Sequence, residues 1–254
     1  MDEVKTNNIH LIKGDCLEVM KNIKDNSIDM ILCDLPYGTT SCKWDTIIPF
    51  EPLWEQYNRI IKDNGAIVLF ASQPFTSLLI CSNIKCYKHN WVWHKNTMGN
   101  ILSAKYQPLK NTEDILVFSK KGKRVNYYPI LTKGHRDESK ERPTKQRSDL
   151  FGELKGGIFK QANNKRPDER YPKHLIEFNN RGEKKHYHPT QKPIELLKYL
   201  IKTYTLDGYT ILDNCMGSGS TGVAVLEVGG DRKFIGIELD DKYFEIACNR
   251  IGGV

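Results

Sequence analysis

Along residues 9–118, short apolar blocks alternate between two periodicities, and this alternation limits the fold more than any other feature. The runs IHLIK, IDMILC, GAIVLF, NWVWH and DILVFS are brief, rich in β-branched or aromatic residues, and bounded by polar turns. Such runs read as strands. Between them lie CLEVMKNI, FEPLWEQYNRII and FTSLLICSNI, which read as helices with an apolar face. The pattern resumes late in the chain, with PIELLKYLIKTY, STGVAVLEVG and DKYFEIACNR as helices and TILD and KFIGIEL as strands. Strands and helices in this order predict an α/β fold. The expected sheet is mostly parallel and seven-stranded, with helices on both faces.

From about residue 119 to 187 the alternation stops. Stretches such as KGHRDESKERPTKQRSD are polar, charged and broken by proline. Loops and a few short elements are expected there. Residues 119–185 hold 19 Lys/Arg against 9 Asp/Glu, while the remaining chain holds 19 against 22. One segment therefore carries the whole positive excess of the +7 chain. A concentrated excess of this kind suits a polyanionic partner, or a solvated charged loop. The organisation expected is one domain in two parts, 1–118 and 188–254, interrupted by a basic insertion at 119–187.

Other classes are disfavoured. No run of about 18 apolar residues is present, so no membrane span is expected. The polar, acidic start MDEVKTNNIHLIKGD is not expected to act as a signal peptide. The seven cysteines form no Cys-x-x-Cys pair and the seven histidines no His-Glu-x-x-His. A reducing, cytoplasmic setting without a metal site is expected.

Two strand ends carry the chemistry. In ILDNCMGSGSTGVAV a strand ends at Asp213, a loop with Gly217, Gly219 and Gly222 follows, and a helix begins. Glycines let backbone approach a ligand closely, and the helix start offers unpaired N–H groups. In the next strand, Glu238 stands where an acid can accept both hydroxyls of a ribose. The spacing Gly217-Ser-Gly219-Ser-Thr-Gly222 also fits nicotinamide dinucleotides, so the loop alone does not choose between cofactors. The second strand end, ILCDLPYGTT, decides. Asp34 and the carbonyls beside Pro36 offer hydrogen-bond acceptors, and Tyr37 offers an aromatic face. Together they match a planar base bearing an exocyclic amine. Stacking a base on such a ring is worth about 1–3 kcal/mol, comparable to the cost of unstacking it from a duplex.

These motifs and their order resemble the β-class DNA amino-methyltransferases, which use S-adenosylmethionine. DLPYG resembles the family's catalytic motif and DNCMGSGSTG its cofactor motif. HPTQKP (188–193) resembles the segment before the cofactor strand, and GDCLEVM (14–20) the segment that meets adenine. The basic insertion lies where the family keeps its target-recognition region. The resemblance implies a Rossmann-like methyltransferase fold and a role for each matching residue. Asp213, Met216, Gly217, Ser218 and Gly219 would face the methionine part of the cofactor, and Thr190, Gln191 and Lys192 would help close that end. Glu238 would hold the ribose, and Asp15 with Cys16 the adenine. Asp34 and the Pro36 carbonyl would accept the target amino hydrogens while Tyr37 stacks on the flipped base.

The implied reaction is methyl transfer to adenine N6 in double-stranded DNA. Leu35 stands where the family usually has proline. The acid at 34 favours adenine N6 over cytosine N4, whose enzymes usually carry Ser there. An RNA adenine target and an inactive DNA-binding relative are the other readings. Cytosine C5 chemistry fits poorly, because the chain has no Pro-Cys pair. A cytoplasmic, nucleoid-associated enzyme is implied, as monomer or homodimer, and compatible with a cognate restriction endonuclease. Trp44, Asp45, His94, Lys95 and Asn96 are further candidates near the target base or phosphates.

Overall fold

The structure, a computed structural model, describes residues 2–39, 45–133, 169–180, 187 and 191–252. In chain order the first half comprises β1 (Glu3–Lys5), β2 (Ile9–Lys13), α1 (Cys16–Met20), β3 (Ile28–Asp34) and α2 (Phe50–Ile60). It continues through β4 (Ile61–Ala71), α3 (Phe75–Ser82), β5 (Tyr87–Gly99), a 3-10 turn at Ile101–Ser103 and β6 (Lys110–Phe118). Two-residue strands β7 (Thr132–Lys133) and β8 (Glu169–Arg170) pair antiparallel with each other. They belong to a compact unit of their own, Pro129–Pro172. The remaining elements are β9 (Leu175–Glu177), α4 (Ile194–Tyr204), β10 (Thr210–Asp213), α5 (Ser220–Val228), β11 (Lys233–Glu238) and α6 (Asp241–Gly252). These pack with the first half in the larger unit, Met1–Tyr128 and Lys173–Val254. The compact unit is thus shorter than the insertion drawn from sequence at 119–187.

The larger unit is built on one sheet in the order β1-β2-β11-β10-β3-β4-β6-β5-β9. It has nine strands among the described residues, two more than the seven expected. The additions are short edge strands: β1 pairs antiparallel with β2, and β9 pairs parallel with β5. β1 is exposed throughout and β9 is only three residues long, too short for burial periodicity to give a signal. The central pairs β2–β11, β11–β10, β10–β3 and β3–β4 are parallel. β6 runs antiparallel between β4 and β5.

Both faces of the sheet are covered, which explains why the central strands are continuously apolar. Met30, Leu32, Val68 and Phe70 face a core with Leu196, Leu200 and Val223 of α4 and α5. Ile31, Cys33, Ile67 and Leu69 face the opposite core, with Leu53 and Tyr57 of α2 and Phe75 and Leu79 of α3. From β10 the chain crosses to β11 on one side, while β3 leads to β4 on the other. Strand order therefore reverses between β10 and β3, and a crevice opens at their carboxyl ends. Among the described residues no helix is long and apolar enough to cross a membrane.

Candidate active site

β10 ends on Asp213 and β3 on Asp34, and the two strands are hydrogen-bonded neighbours. Parallel neighbours lie about 5 Å apart, so the glycine loop and the Asp-Leu-Pro-Tyr turn open onto one crevice despite their distance in sequence. The crevice is a cleft of about 1260 Å³ whose lining includes Asp34, Tyr37, Glu113, Lys192, Gly217 and Glu238.

The glycine loop is shaped by its own backbone. Gly217 (φ +52°) and Gly219 (φ +81°) are left-handed, a conformation that favours glycine. A Cβ on Gly219 would lie 3.0 Å from Ala247 Cβ and Ile251 Cδ1, whereas one on Gly217 would meet nothing within 4 Å. Gly219 is thus needed for packing against α6, and Gly217 leaves open space on the cleft. Glu238 Oε2 accepts from the Gly217 N–H at 2.8 Å, and Oε1 accepts from Leu239 and Asp240 N–H at 3.0 and 2.9 Å. Burial raises the Glu238 carboxyl, against the opposing effect of these N–H donors. Arg250 on α6 holds the loop from outside, donating to Ser218 O (2.7 Å), Ser218 Oγ (3.0 Å) and Ser220 Oγ (3.2 Å). Gln191 Oε1 accepts from the Tyr187 N–H at 3.0 Å and lies 3.4 Å from Ser218 Oγ. Met216 is buried, with its N–H on Ile237 O at 2.9 Å.

Asp15 caps α1, its Oδ1 accepting from Leu17 N–H (2.8 Å) and Glu18 N–H (3.3 Å), while still lining the cleft with Cys16. Contact with Cys215 raises the Cys16 thiol, and burial pushes Cys33 up to about 12. These thiols are packing groups rather than nucleophiles.

On the other side stands a buried charge network. Lys192 Nζ reaches Asp34 Oδ2 at 2.6 Å and Glu113 Oε1 at 3.0 Å. The Tyr37 hydroxyl lies 2.8 Å from Asp34 Oδ1 and 2.9 Å from Glu113 Oε1. Lys95 pairs with Glu113 Oε2. The Tyr37 ring stacks on Phe75, with centroids 5.0 Å apart. Its backbone turn is gripped by Asp45, which accepts from the N–H groups of Tyr37 (2.8 Å), Gly38 (2.9 Å) and Thr39 (2.9 Å). Burial raises the Asp34 carboxyl, with Lys192 opposing. Burial would raise Glu113 too, but Lys192 and Lys95 outweigh it and hold that carboxyl below its usual range. Burial disfavours the Lys192 ammonium, yet Asp34 and Glu113 together hold its pKa above the usual value.

Asp34, Pro36, Tyr37, Gln191, Lys192, Asp213, Met216, Gly217, Ser218 and Glu238 all line the cleft, as do Asp15 and Cys16. Two of them sit differently from the sequence expectation. The Lys192 ammonium, expected at the methionine end of the cofactor, is paired with Asp34 and Glu113. Asp213 turns inward, taking the Thr221 hydroxyl at 2.6 Å and the Cys215 N–H at 3.1 Å. Thr190 and Trp44 lie outside the described residues. His94 and Asn96 form local contacts, to Asn111 (3.1 Å) and Asn179 (2.7 Å). Glu113 and Arg250 are absent from the sequence reading. Glu113 had a signal: on β6 it shares the face of buried Ile115 and Val117, so an acid stands in register with core residues. Arg250 had none, because contact across α6 is not local. Among the described residues no group of three or more His, Cys, Asp or Glu is placed to hold a metal ion.

Burial pushes the Asp213 carboxyl up to about 7, well above its unfolded range near 3.9. The native state then holds a proton that the unfolded chain has released, so stability falls as pH rises from about 4 to 7. The slope from this group is about 1.4 kcal/mol per pH unit. In Asp213→Asn that slope is expected to disappear. Chemical denaturation of both proteins at pH 4.5 and 7 measures the difference.

Comparison with known proteins agrees with this geometry. The family model described as DNA methylase, N6_N4_Mtase, matches residues 28–249. The Type II methyltransferase M2.DpnII of Streptococcus pneumoniae is 29% identical, over 96% of this chain and 90% of its own. The crystal structure of the M1.HpyAVI–SAM complex superposes with a TM-score of 0.63 at 24% identity, covering 96% of this chain and 98% of the other. The PvuII DNA methyltransferase, titled cytosine-N4-specific, has a TM-score of 0.68 at 14% identity, covering 97% and 87%. At these identities the structural likeness speaks for the fold alone, and the sheet order and cleft fit it. With the family model spanning most of the chain, the protein belongs to the N6/N4 family of DNA methylases.

Proposed function

We propose that the protein transfers a methyl group from S-adenosylmethionine to the N6 amine of adenine flipped out of double-stranded DNA. One observation carries this reading: the acceptors of the Asp34–Tyr37 turn and the glycine loop with Glu238 face a single cleft. When bound, the cofactor supplies an electrophilic sulfonium methyl. Open space at Gly217 and the half-buried Glu238 carboxylate fit its amino-acid and ribose parts. Glu238 already accepts three N–H groups. Of about four acceptor positions on a carboxylate, little is spare, so ribose hydroxyls share or displace the Gly217 contact.

The chain's own residues do the rest. An adenine amine is a weak nucleophile because its lone pair is spread into the ring. Acceptance of its hydrogens by Asp34 and the Pro36 carbonyl localises that pair, and the Asp34 charge stabilises the positive charge that develops on attack. Tyr37, backed by Phe75 on one face, offers its other face to the base. Leu35 in place of the usual proline leaves the backbone carbonyl available, since the acceptor is not a side chain. An acid at position 34 supports adenine N6 over cytosine N4, which stays the alternative. The basic stretch 119–187 is the target-reading region in this proposal, on the grounds of its charge. The cell compartment that follows is the cytoplasm, beside the DNA.

Asp34→Ala is expected to lower methyl transfer by about 100- to 1000-fold or more, with cofactor affinity by calorimetry nearly unchanged. Near-normal transfer would remove Asp34 from the chemistry. Glu113→Gln takes away one of two anions on Lys192 and an acceptor for Tyr37. Its kcat is expected to fall about ten- to a hundredfold through loosened positioning. Because the Glu113 charge raises the Asp34 carboxyl, its loss makes Asp34 more acidic. The acid limb of the kcat profile therefore shifts to lower pH.

A further inference from the structure

From the end of β5 to the start of β6 the chain runs through TMGNILSAKYQPLK, residues 97–110. Its tip exposes apolar side chains that a soluble surface usually hides. Leu102 is 98% exposed, Ile101 70% and Met98 59%. This exposure is not looseness. Asn100 takes the left-handed conformation (φ +51°), and its side chain ties the hairpin's two arms together. Its Oδ1 accepts from Lys110 N–H at 2.7 Å and its Nδ2 donates to Pro108 O at 3.3 Å. Ser103 N–H then donates to Asn100 O at 2.9 Å, and Ala104 N–H to Ile101 O at 3.1 Å. Ile101 and Leu102 therefore project from a tied turn.

Two further observations say what meets them. Residues 96–112 contain Lys105 and Lys110 and no Asp or Glu, so the charges nearest the apolar tip in sequence are positive. At the hairpin's base lies a smaller cleft of about 280 Å³, lined by Lys95, Thr97, Asn100, Lys110 and Asn180 among others. Lys95, Thr97 and Asn180 also line the cleft that holds Asp34 and Tyr37. The hairpin thus borders the place a target base would occupy. A protein that removes a base from a duplex leaves a gap, and apolar wedges flanked by cations are the side chains that enter such steps.

We propose that the 97–110 hairpin is a DNA wedge, with Ile101 and Leu102 entering the duplex beside the target base as it leaves the stack. The inference rests on the DNA-methylation reading above. Neither residue touches the catalytic network, so their replacement tests the wedge without disturbing the chemistry.

The test compares Ile101→Asn/Leu102→Asn with Ile101→Met/Leu102→Met, a polar pair and an apolar pair. Initial rates of labelled methyl transfer are measured on unmodified bacteriophage DNA, as duplex and after heat denaturation, with solution mass by sedimentation. On duplex, the Asn pair is expected to fall about tenfold or more and the Met pair to stay near the unsubstituted rate. On denatured DNA the Asn pair should lose little, and mass should not change. Equal duplex rates for all three proteins overturn the wedge. So does an equal loss on denatured DNA, or a loss that follows a change in mass, which would mark a contact between copies of the chain. Absence of transfer by the unsubstituted protein on both DNAs would instead overturn the reading on which the wedge rests.

Discussion

A buried ammonium between two carboxylates joins the halves of this site. Lys192, just before α4, reaches Asp34 at the end of β3 and Glu113 on β6. An isolated charge in this position would be strongly disfavoured, and removing one partner of a buried pair typically costs about 3–5 kcal/mol. With Lys95 on Glu113 and the Tyr37 hydroxyl between the two acids, two cations face two anions. The segment that leads into the glycine-loop half of the chain is thereby bound to the turn that carries Asp34. Both oxygens of Asp34 are engaged, one by Lys192 and one by Tyr37. A target amine must therefore share Asp34 with Lys192 or shift it. Burial raises the Asp34 carboxyl, and the Lys192 ammonium lies where it opposes that rise and favours the charged acceptor.

The glycine loop depends on a second, quieter set of contacts. Glu238 from β11 and Arg250 from α6 hold it from opposite sides, one through the Gly217 N–H and the other through Ser218 and Ser220. Asp213 braces the strand end beneath it. The loop is therefore shaped by the chain's own contacts, and the side chain expected to hold a ribose also sets the form of the loop. Pre-organisation of this kind reduces the ordering cost of binding.

Much of the fold was legible in the sequence because buried parallel strands and amphipathic helices announce themselves by periodicity. Each of the seven strands read from those patterns corresponds to a strand of the sheet. The edge strands β1 and β9 were not legible, since three residues are too few to show a periodicity, although Ile176 of β9 reaches the core. In the site, Asp34, Tyr37 and the glycine loop stood out through local chemistry. Lys192 was singled out for the methionine end of the cofactor, without its ion pairs. Its ammonium travels across the cleft to Asp34, and no spacing rule encodes that path. Glu113 was hidden among apolar residues, although its register with Ile115 and Val117 marks it as an acid facing a core.

The central claim is that Asp34 and Tyr37 present an adenine amine for methylation. Nucleoside analysis by mass spectrometry of DNA from cells expressing the protein, against cells expressing Asp34→Ala, tests it most directly. N6-methyladenine is expected in the first sample and its loss in the second. N4-methylcytosine, or N6-methyladenine that persists without Asp34, would contradict it.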